Sequence, residues 1–198
     1  MPRQLRKIKK LSFYKALQLG YLRNENKQAK RMKRFGYIVD KDLSNAERMV
    51  AYSPFTKKVI FVENGSATNP FSPQTYEDWQ NNIQNVTTGT FQYTPRFQDA
   101  KNIYLKAKKK YEAPITFVGH SQSAITINEL TGKDDKGYTL NGALIKQRDN
   151  PNVTNYRIQN DIVSALANPN DMRTLQGQSR NPFTAHKIDN IKNEPIFI

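Results

Sequence analysis

Residues 114–126 read Pro114-Ile115-Thr116-Phe117-Val118-Gly119-His120-Ser121-Gln122-Ser123-Ala124-Ile125-Thr126. The first five form a short apolar run with the β-branched and aromatic residues of a buried strand, stopped by Gly119. Gln122 to Leu130 then has the small and apolar residues of a helix. Between them stands Ser121, with the small residues Gly119 and Ser123 two positions to either side. A strand that turns directly into a helix strains the backbone at the tip and brings the two elements close together. The flanking positions must therefore be small, and the tip hydroxyl projects above the sheet. The pattern is G-x-S-x-G, except that Ser123 stands where the second glycine is usual.

Outward from this turn the chain alternates strands with helices. Lys58-Val59-Ile60-Phe61-Val62 is a second buried-strand run, closed by the turn chemistry of Asn64-Gly65. Residues 67–95 are a long polar excursion rich in Asn, Thr, Gln and Pro and dotted with Phe71, Tyr76, Trp79 and Phe91. From Arg96 to Tyr111, apolar residues recur at spacings of three and four (Phe97, Ala100, Ile103, Tyr104, Ala107, Tyr111) with lysines opposite, which predicts an amphipathic helix. Tyr138 to Lys146 and Asn155 to Ile158 are further strand candidates. Strand, helix, strand, helix, strand argues for an α/β fold with a mainly parallel sheet covered by helices on both faces.

The chain has 198 residues, the size of one domain, and carries 31 Lys/Arg against 17 Asp/Glu for a net charge of +14. Residues 1–40 hold 12 of those basic residues and 2 of the acidic ones, so the positive field is concentrated there. Leu5, Ile8, Leu11 and Leu19, with Phe13, Tyr14 and Leu17 between them, predict a basic amphipathic helix that Asn24-Glu25-Asn26 interrupts. Lys27 to Arg34 is a second basic stretch, too short for its periodicity to assign. The expected organisation is a basic helical arm over residues 1–40 followed by the α/β domain over residues 41–198. Such an arm either lays its apolar stripe on its own domain or presents residues 1–34 to an anionic membrane surface, a capsid protein or nucleic acid. No apolar run approaches the roughly 20 residues of a bilayer span. No apolar segment with a small-residue cleavage site follows the basic start, so synthesis in a cytoplasm is expected. The absence of cysteine excludes disulfides, thiolate catalysis and Cys-ligated metals, and two histidines do not suffice for an imidazole metal site.

A serine nucleophile needs a base, and the choice is between His120 and His186. His120 neighbours Ser121, where successive side chains diverge, so a hydrogen bond of about 3 Å to that hydroxyl is awkward. His186, in a loop-like stretch from Asn181 to Asn190, is the realistic base. The imidazole in turn needs a carboxylate to fix its tautomer. In the chain order Ser, acid, His, the acid lies among Glu129, Asp134, Asp135, Asp149, Asp161 and Asp171. Asp161 is the best placed, because it follows the strand candidate ending at Ile158 and precedes apolar Ile162-Val163. Asp134 and Asp135 read as solvated in a Gly-Lys-Asp-Asp-Lys-Gly turn, and Asp149 and Asp171, in Asn/Pro-rich loops, are the fallbacks. A tetrahedral oxyanion needs donors worth roughly 3 to 4 kcal/mol each. The backbone N–H of Gln122 is one, and Ser66, just beyond the Lys58 to Val62 strand, offers N–H and hydroxyl as the other.

Six stretches stand in order along the chain: Phe61-Val62-Glu63-Asn64-Gly65-Ser66, Asp78-Trp79, Arg96-Phe97-Gln98-Asp99-Ala100-Lys101, Gly119-His120-Ser121-Gln122-Ser123-Ala124, Asp161-Ile162-Val163-Ser164 and His186-Lys187-Ile188-Asp189-Asn190-Ile191. In this order they resemble the landmarks of the class 3 (fungal-type) lipase family, most closely its small viral and microbial members. The resemblance spans residues 45 to 192 and departs at Ser123-Ala124, where the family has paired glycines, and at Glu63-Asn64, where it has Arg before the glycine. It implies a minimal α/β-hydrolase-like fold and hydrolysis of a carboxylic ester of lipase or phospholipase type through an acyl-enzyme. Ser121, Asp161 and His186 would form the triad and Ser66 and Gln122 the oxyanion hole. A lipid ester would be the substrate, no metal or cofactor would be needed, and the segment from Ala67 to Pro95 would include a lid. Carriage in a virion is a further expectation. The rival reading keeps the hydrolase fold as a structural, capsid-associated protein whose basic arm contacts capsid or nucleic acid.

Overall fold

In strand Lys58–Glu63, successive apolar side chains point to opposite sides, and each side meets its own set of helices. Ile60 and Val62 pack with Leu17 and Met32 on one face, whereas Val59 and Phe61 pack with Ala100 and Ile127 on the other. The computed structural model describes residues 8–65, 89–142, 150–166, 172–181, 185–191 and 196–198. Within these residues the strands are β1 (Ile38–Val39), β2 (Arg48–Ser53), β3 (Lys58–Glu63), β4 (Ile115–His120), β5 (Lys136–Leu140), β6 (Val153–Ile158) and β7 (Met172–Leu175). They form one seven-stranded sheet in sequential order. β1, β2 and β3 pair antiparallel, and β3 through β7 pair parallel. Helices α1 (Phe13–Gly20) and α2 (Glu25–Met32) cover one face, and α3 (Pro95–Tyr111) and α4 (Ser123–Leu130) the other. This is the minimal α/β-hydrolase-like fold with a mainly parallel sheet.

Local chemistry explains the helix boundaries. Ser12 caps α1 by accepting the Lys15 N–H at 3.2 Å, and Asn24 caps α2 by accepting the Lys27 N–H at 2.9 Å. Thr94 caps α3, Pro95 supplies its first position, and Glu112 ends it in a left-handed conformation with φ 47°. The break predicted at Asn24-Glu25-Asn26 is therefore a cap, and the unassigned basic stretch beyond it is α2. The apolar stripe of α1 lies on the sheet: Ala16, Leu17 and Leu19 have no exposure at all. Each such leucine contributes roughly 1.5–3 kcal/mol by its burial.

Four strands differ from the sequence reading. β4 does not stop at Gly119 but runs through it to His120, because this glycine serves close packing rather than chain reversal. β5 is shorter than expected and ends at Leu140, where Asn141 turns left-handed with φ 51°; residues 143–149 lie outside the described residues. β2 and β7 had no clear signal, since the burial along Met172–Leu175 does not alternate and β2 opens on an arginine.

Candidate active site

The carboxyl ends of β3 to β6 form one rim, and the predicted catalytic residues lie along it. Ser121 follows β4 directly, with φ 60° in the left-handed region that costs a non-glycine residue roughly 1–3 kcal/mol. Its N–H is taken by the carbonyl of Leu140 at 2.8 Å, which fixes the tip against β5. The departure from glycine at 123 has a structural reason. The Ser123 hydroxyl accepts the His120 N–H at 2.7 Å and donates to the His120 carbonyl at 2.9 Å, so one buried side chain stitches the turn shut. The room for it comes from Gly119, where a Cβ would lie 2.3 Å from Ser123 Oγ and 2.4 Å from Ile127 Cδ1.

Ser121, His186 and Asp161 come together from three distant stretches. His186 Nε2 lies 3.0 Å from Ser121 Oγ, and its Nδ1 lies 2.7 Å from Asp161 Oδ1. A carboxylate only accepts, so Nδ1 carries the proton and Nε2 is left to accept from the serine hydroxyl. Asp161 is buried three residues beyond β6, and its other oxygen accepts the Ser164 N–H at 2.7 Å. Burial alone would raise its pKa, but the bonds from His186 and Ser164 outweigh that and hold it below the usual carboxylate value. It therefore stays ionised where it can orient the imidazole and stabilise its charged form.

The His186 loop is pinned from several directions. Asn141 Nδ2 donates to the carbonyls of Ala185 and His186, each at 3.2 Å, while its Oδ1 accepts the Ile158 N–H at 2.7 Å. Asn190 Oδ1 accepts the N–H groups of Gln178 and Ser179, and the Tyr14 hydroxyl of α1 donates to Asp189 at 3.0 Å. His120, set aside as a base, turns from Ser121 toward Tyr21.

Of the two expected oxyanion donors, Gln122 sits at the N-cap of α4 immediately after Ser121, and Ser66 lies outside the described residues. So do Asp78-Trp79, most of the expected lid, Asp149 and Asp171. The end of β3 that leads to Ser66 is set by a buried ion-pair cluster. Arg48, fully buried on β2, donates from Nε to Glu63 at 2.8 Å and also pairs with Asp99 on α3. Arg96 approaches Glu63 at 3.4 Å and donates to the Asn64 carbonyl. Glu63, of the pair Glu63-Asn64 that stands where the resembled family has Arg before the glycine, is thus held between two arginines. The remaining acids stand apart from the site. Asp134 and Glu129 are exposed. Asp135 is not solvated as its turn suggested: it is buried, accepting the Ile115 N–H at 2.7 Å and pairing with Lys108 at 3.0 Å. It secures the start of β4, the end of the strand away from Ser121.

No protein-family model matches the chain, and no curated protein does. Among solved structures it is similar to the Rhizomucor miehei lipase propeptide complex, at 13% identity over 90% of this chain and 76% of that one, with a TM-score of 0.48. It is also similar to the Lip2 lipase from Yarrowia lipolytica, at 11% identity over 83% of this chain and 75% of that one, with a TM-score of 0.47. The lipase from Rhizopus microsporus var. chinensis is a third, at 14% identity over 86% and 77%, with a TM-score of 0.44.

Two further groups at the rim, Tyr21 and Asn141, carried no signal in the sequence. Tyr21 belongs to the basic N-terminal stretch, and its phenol, pushed by burial up to about 12, stays a neutral donor. Asn141 is one of many asparagines, and only its left-handed backbone marks it.

Proposed function

We propose that the protein is a serine hydrolase of carboxylic esters. The observation that carries this is the unbroken line from Ser121 Oγ through the His186 ring to the Asp161 carboxylate, with links of 3.0 and 2.7 Å. In the first half-reaction the serine oxygen bonds to the ester carbonyl carbon while its proton passes to His186 Nε2. The tetrahedral oxyanion is held by the Gln122 N–H and, by the motif order, by Ser66. His186 returns the proton to the leaving alkoxide as the ester C–O bond breaks, giving alcohol and acyl-Ser121. A water then attacks the acyl carbon, with His186 taking its proton and handing it back to Ser121 as the acid departs. The chemistry calls on no metal or cofactor. The resemblance from Phe61–Ser66 to His186–Ile191 supports an acyl-lipid ester of lipase or phospholipase type as substrate.

A fluorophosphonate probe tests the reading. The wild type labels once, on Ser121, and hydrolyses a short soluble p-nitrophenyl ester, whereas Ser121→Ala does neither. A wild type that labels no faster than Ser121→Ala ends the enzyme assignment.

One observation favours a second role on the same fold, the rival function of a partner-binding basic arm. Arg23, Lys27, Lys30, Arg31, Lys33 and Arg34 are all exposed, and among the described residues none of them joins an ion pair. The surface of α2 and its flanking residues fits a polyanion: an anionic membrane, an acidic capsid surface or nucleic acid.

A further inference from the structure

Tyr21, His120 and Gly65 take no part in the proton transfers of ester cleavage, yet they form a hydrogen-bonded chain whose direction is fixed at every link. The His186 carbonyl only accepts, so His120 Nε2, 2.7 Å away, carries the ring proton. The uncharged ring then accepts at Nδ1, and the Tyr21 hydroxyl, at 3.0 Å, donates to it. With its one proton committed, the Tyr21 oxygen accepts the Gly65 N–H at 2.7 Å. No link can be reversed without leaving another donor or acceptor unmatched.

Both ends of this chain are parts of the site. Gly65 stands at the head of the strand end that leads to Ser66, so close to the elbow that a Cβ on it would lie 3.1 Å from Ser121 Cβ and 2.7 Å from the His120 carbonyl. The other end is the backbone of His186 itself. The four contributing stretches are the end of α1, the end of β3, the end of β4 and the C-terminal loop, which no single element joins.

We propose that Tyr21 and His120 are positioning residues for ester hydrolysis. Their linked rings hold the Gly65 peptide on the oxyanion side and the His186 backbone on the base side in one register around Ser121. The inference rests on the reading of Ser121 as the nucleophile. Neither ring hydrogen-bonds to a reacting atom, although the His120 ring lies against the His186 ring with centroids 4.9 Å apart; the two act through the peptide groups at either end. Misplacement of a catalytic group by about 1 Å costs on the order of 100-fold in rate, which sets the scale of the effect.

The test uses the full chain. Tyr21→Phe keeps the ring and removes both of its hydrogen bonds. With folding checked by near-UV circular dichroism, it should label to full stoichiometry but about 10- to 100-fold more slowly. On a soluble ester its kcat should fall by the same factor while KM stays put. His120→Gln, whose amide can still donate to the His186 carbonyl, should lie between Tyr21→Phe and wild type; His120→Ala should match Tyr21→Phe or fall below it. A purely structural role would lower the amount of active protein and leave the labelling rate per folded molecule unchanged, and that result overturns the proposal. An independent readout is the nitrogen spectrum of the imidazoles. In the wild type His120 should be the neutral, Nε2-protonated tautomer from pH 8 to pH 5, and in Tyr21→Phe its Nδ1 signal should shift. A His120 that is protonated in that range, or carries its proton on Nδ1, removes the chain of bonds itself. A wild type that fails to label while its His120 shows the expected tautomer sinks the nucleophile reading and leaves the bonding geometry standing.

Discussion

Burial in the first place, and then the neighbouring His186, depress the His120 imidazole from the ordinary 6.5 to about 3. The groups that face it are Tyr21 from α1 and His186 and Asp161 from beyond β6. An unfolded chain takes up a proton on this histidine below about pH 6.5, which the folded chain refuses until about pH 3. Its contribution to stability is therefore complete above the unfolded value and lost as pH falls through that window, at about 1.4 kcal/mol per pH unit. Asp161 works in the same sense at lower pH: its depressed pKa stabilises above the ordinary carboxylate value and fades as pH falls through the folded one. Urea midpoints at pH 7, 5.5 and 4 should fall more steeply for the wild type than for His120→Gln, which has nothing to titrate there. Equal slopes would place the proton sensitivity elsewhere. Ser121, Asp161 and His186 were legible in the sequence because each sits in a short pattern of its own: small residues around a turn, a carboxylate after a strand, a histidine in a late loop. Tyr21 was not, because its meaning lies in its bonds to Gly65 and His120, 44 and 99 positions away.

Among the elements, β3 and β4 were readable as continuous apolar runs and α3 as a period of three and four, since both faces of the sheet are covered. β2 was hidden by the residue that matters most in it. Arg48 breaks the apolar pattern at the strand's first position, yet in the fold it is wholly buried, paired with Glu63 on β3 and Asp99 on α3. Truncating one partner of such a pair strands the other charge in the interior. Arg48→Met should cost about 3–5 kcal/mol, and Arg48→Met combined with Glu63→Leu less than the two single changes added together. Urea denaturation of the four proteins measures this; additive losses would mean that Glu63 is satisfied by Arg96 alone. Because β3 hands the chain to Gly65, Arg48→Met should also slow labelling of Ser121 in whatever fraction remains folded.

At the scale of the molecule, the described part of the basic N-terminal stretch, from residue 8 onward, contributes α1 and α2, with its apolar side in the core and its cations on α2 outside. Removing residues 1–34 would therefore take Phe13, Leu17 and Leu19 out of the interior along with the charge, and a fall in binding would say nothing about electrostatics. Charge reversal on α2 separates the two. Lys27→Glu, Lys30→Glu and Arg31→Glu together change only exposed side chains, so thermal stability should hold within a few degrees. Elution from a heparin column should nevertheless move to markedly lower salt, and the salt dependence of binding should flatten by roughly one counterion for each cation removed. Co-elution with the wild type would dispose of the polyanion role while leaving the rim chemistry untouched.

Gly119, Ser123 and Ile127 meet in one small volume behind the elbow, and a side chain at 119 would have to displace the Ser123 hydroxyl and the tip of Ile127. A Cβ at 119 meets the tip of Ile127 even after Ser123 is reduced to glycine, and that reduction removes the hydroxyl that bonds the His120 N–H and carbonyl. Gly119 is in that sense the condition for the serine variant of the elbow, since any side chain there would have to displace the hydroxyl that closes the turn.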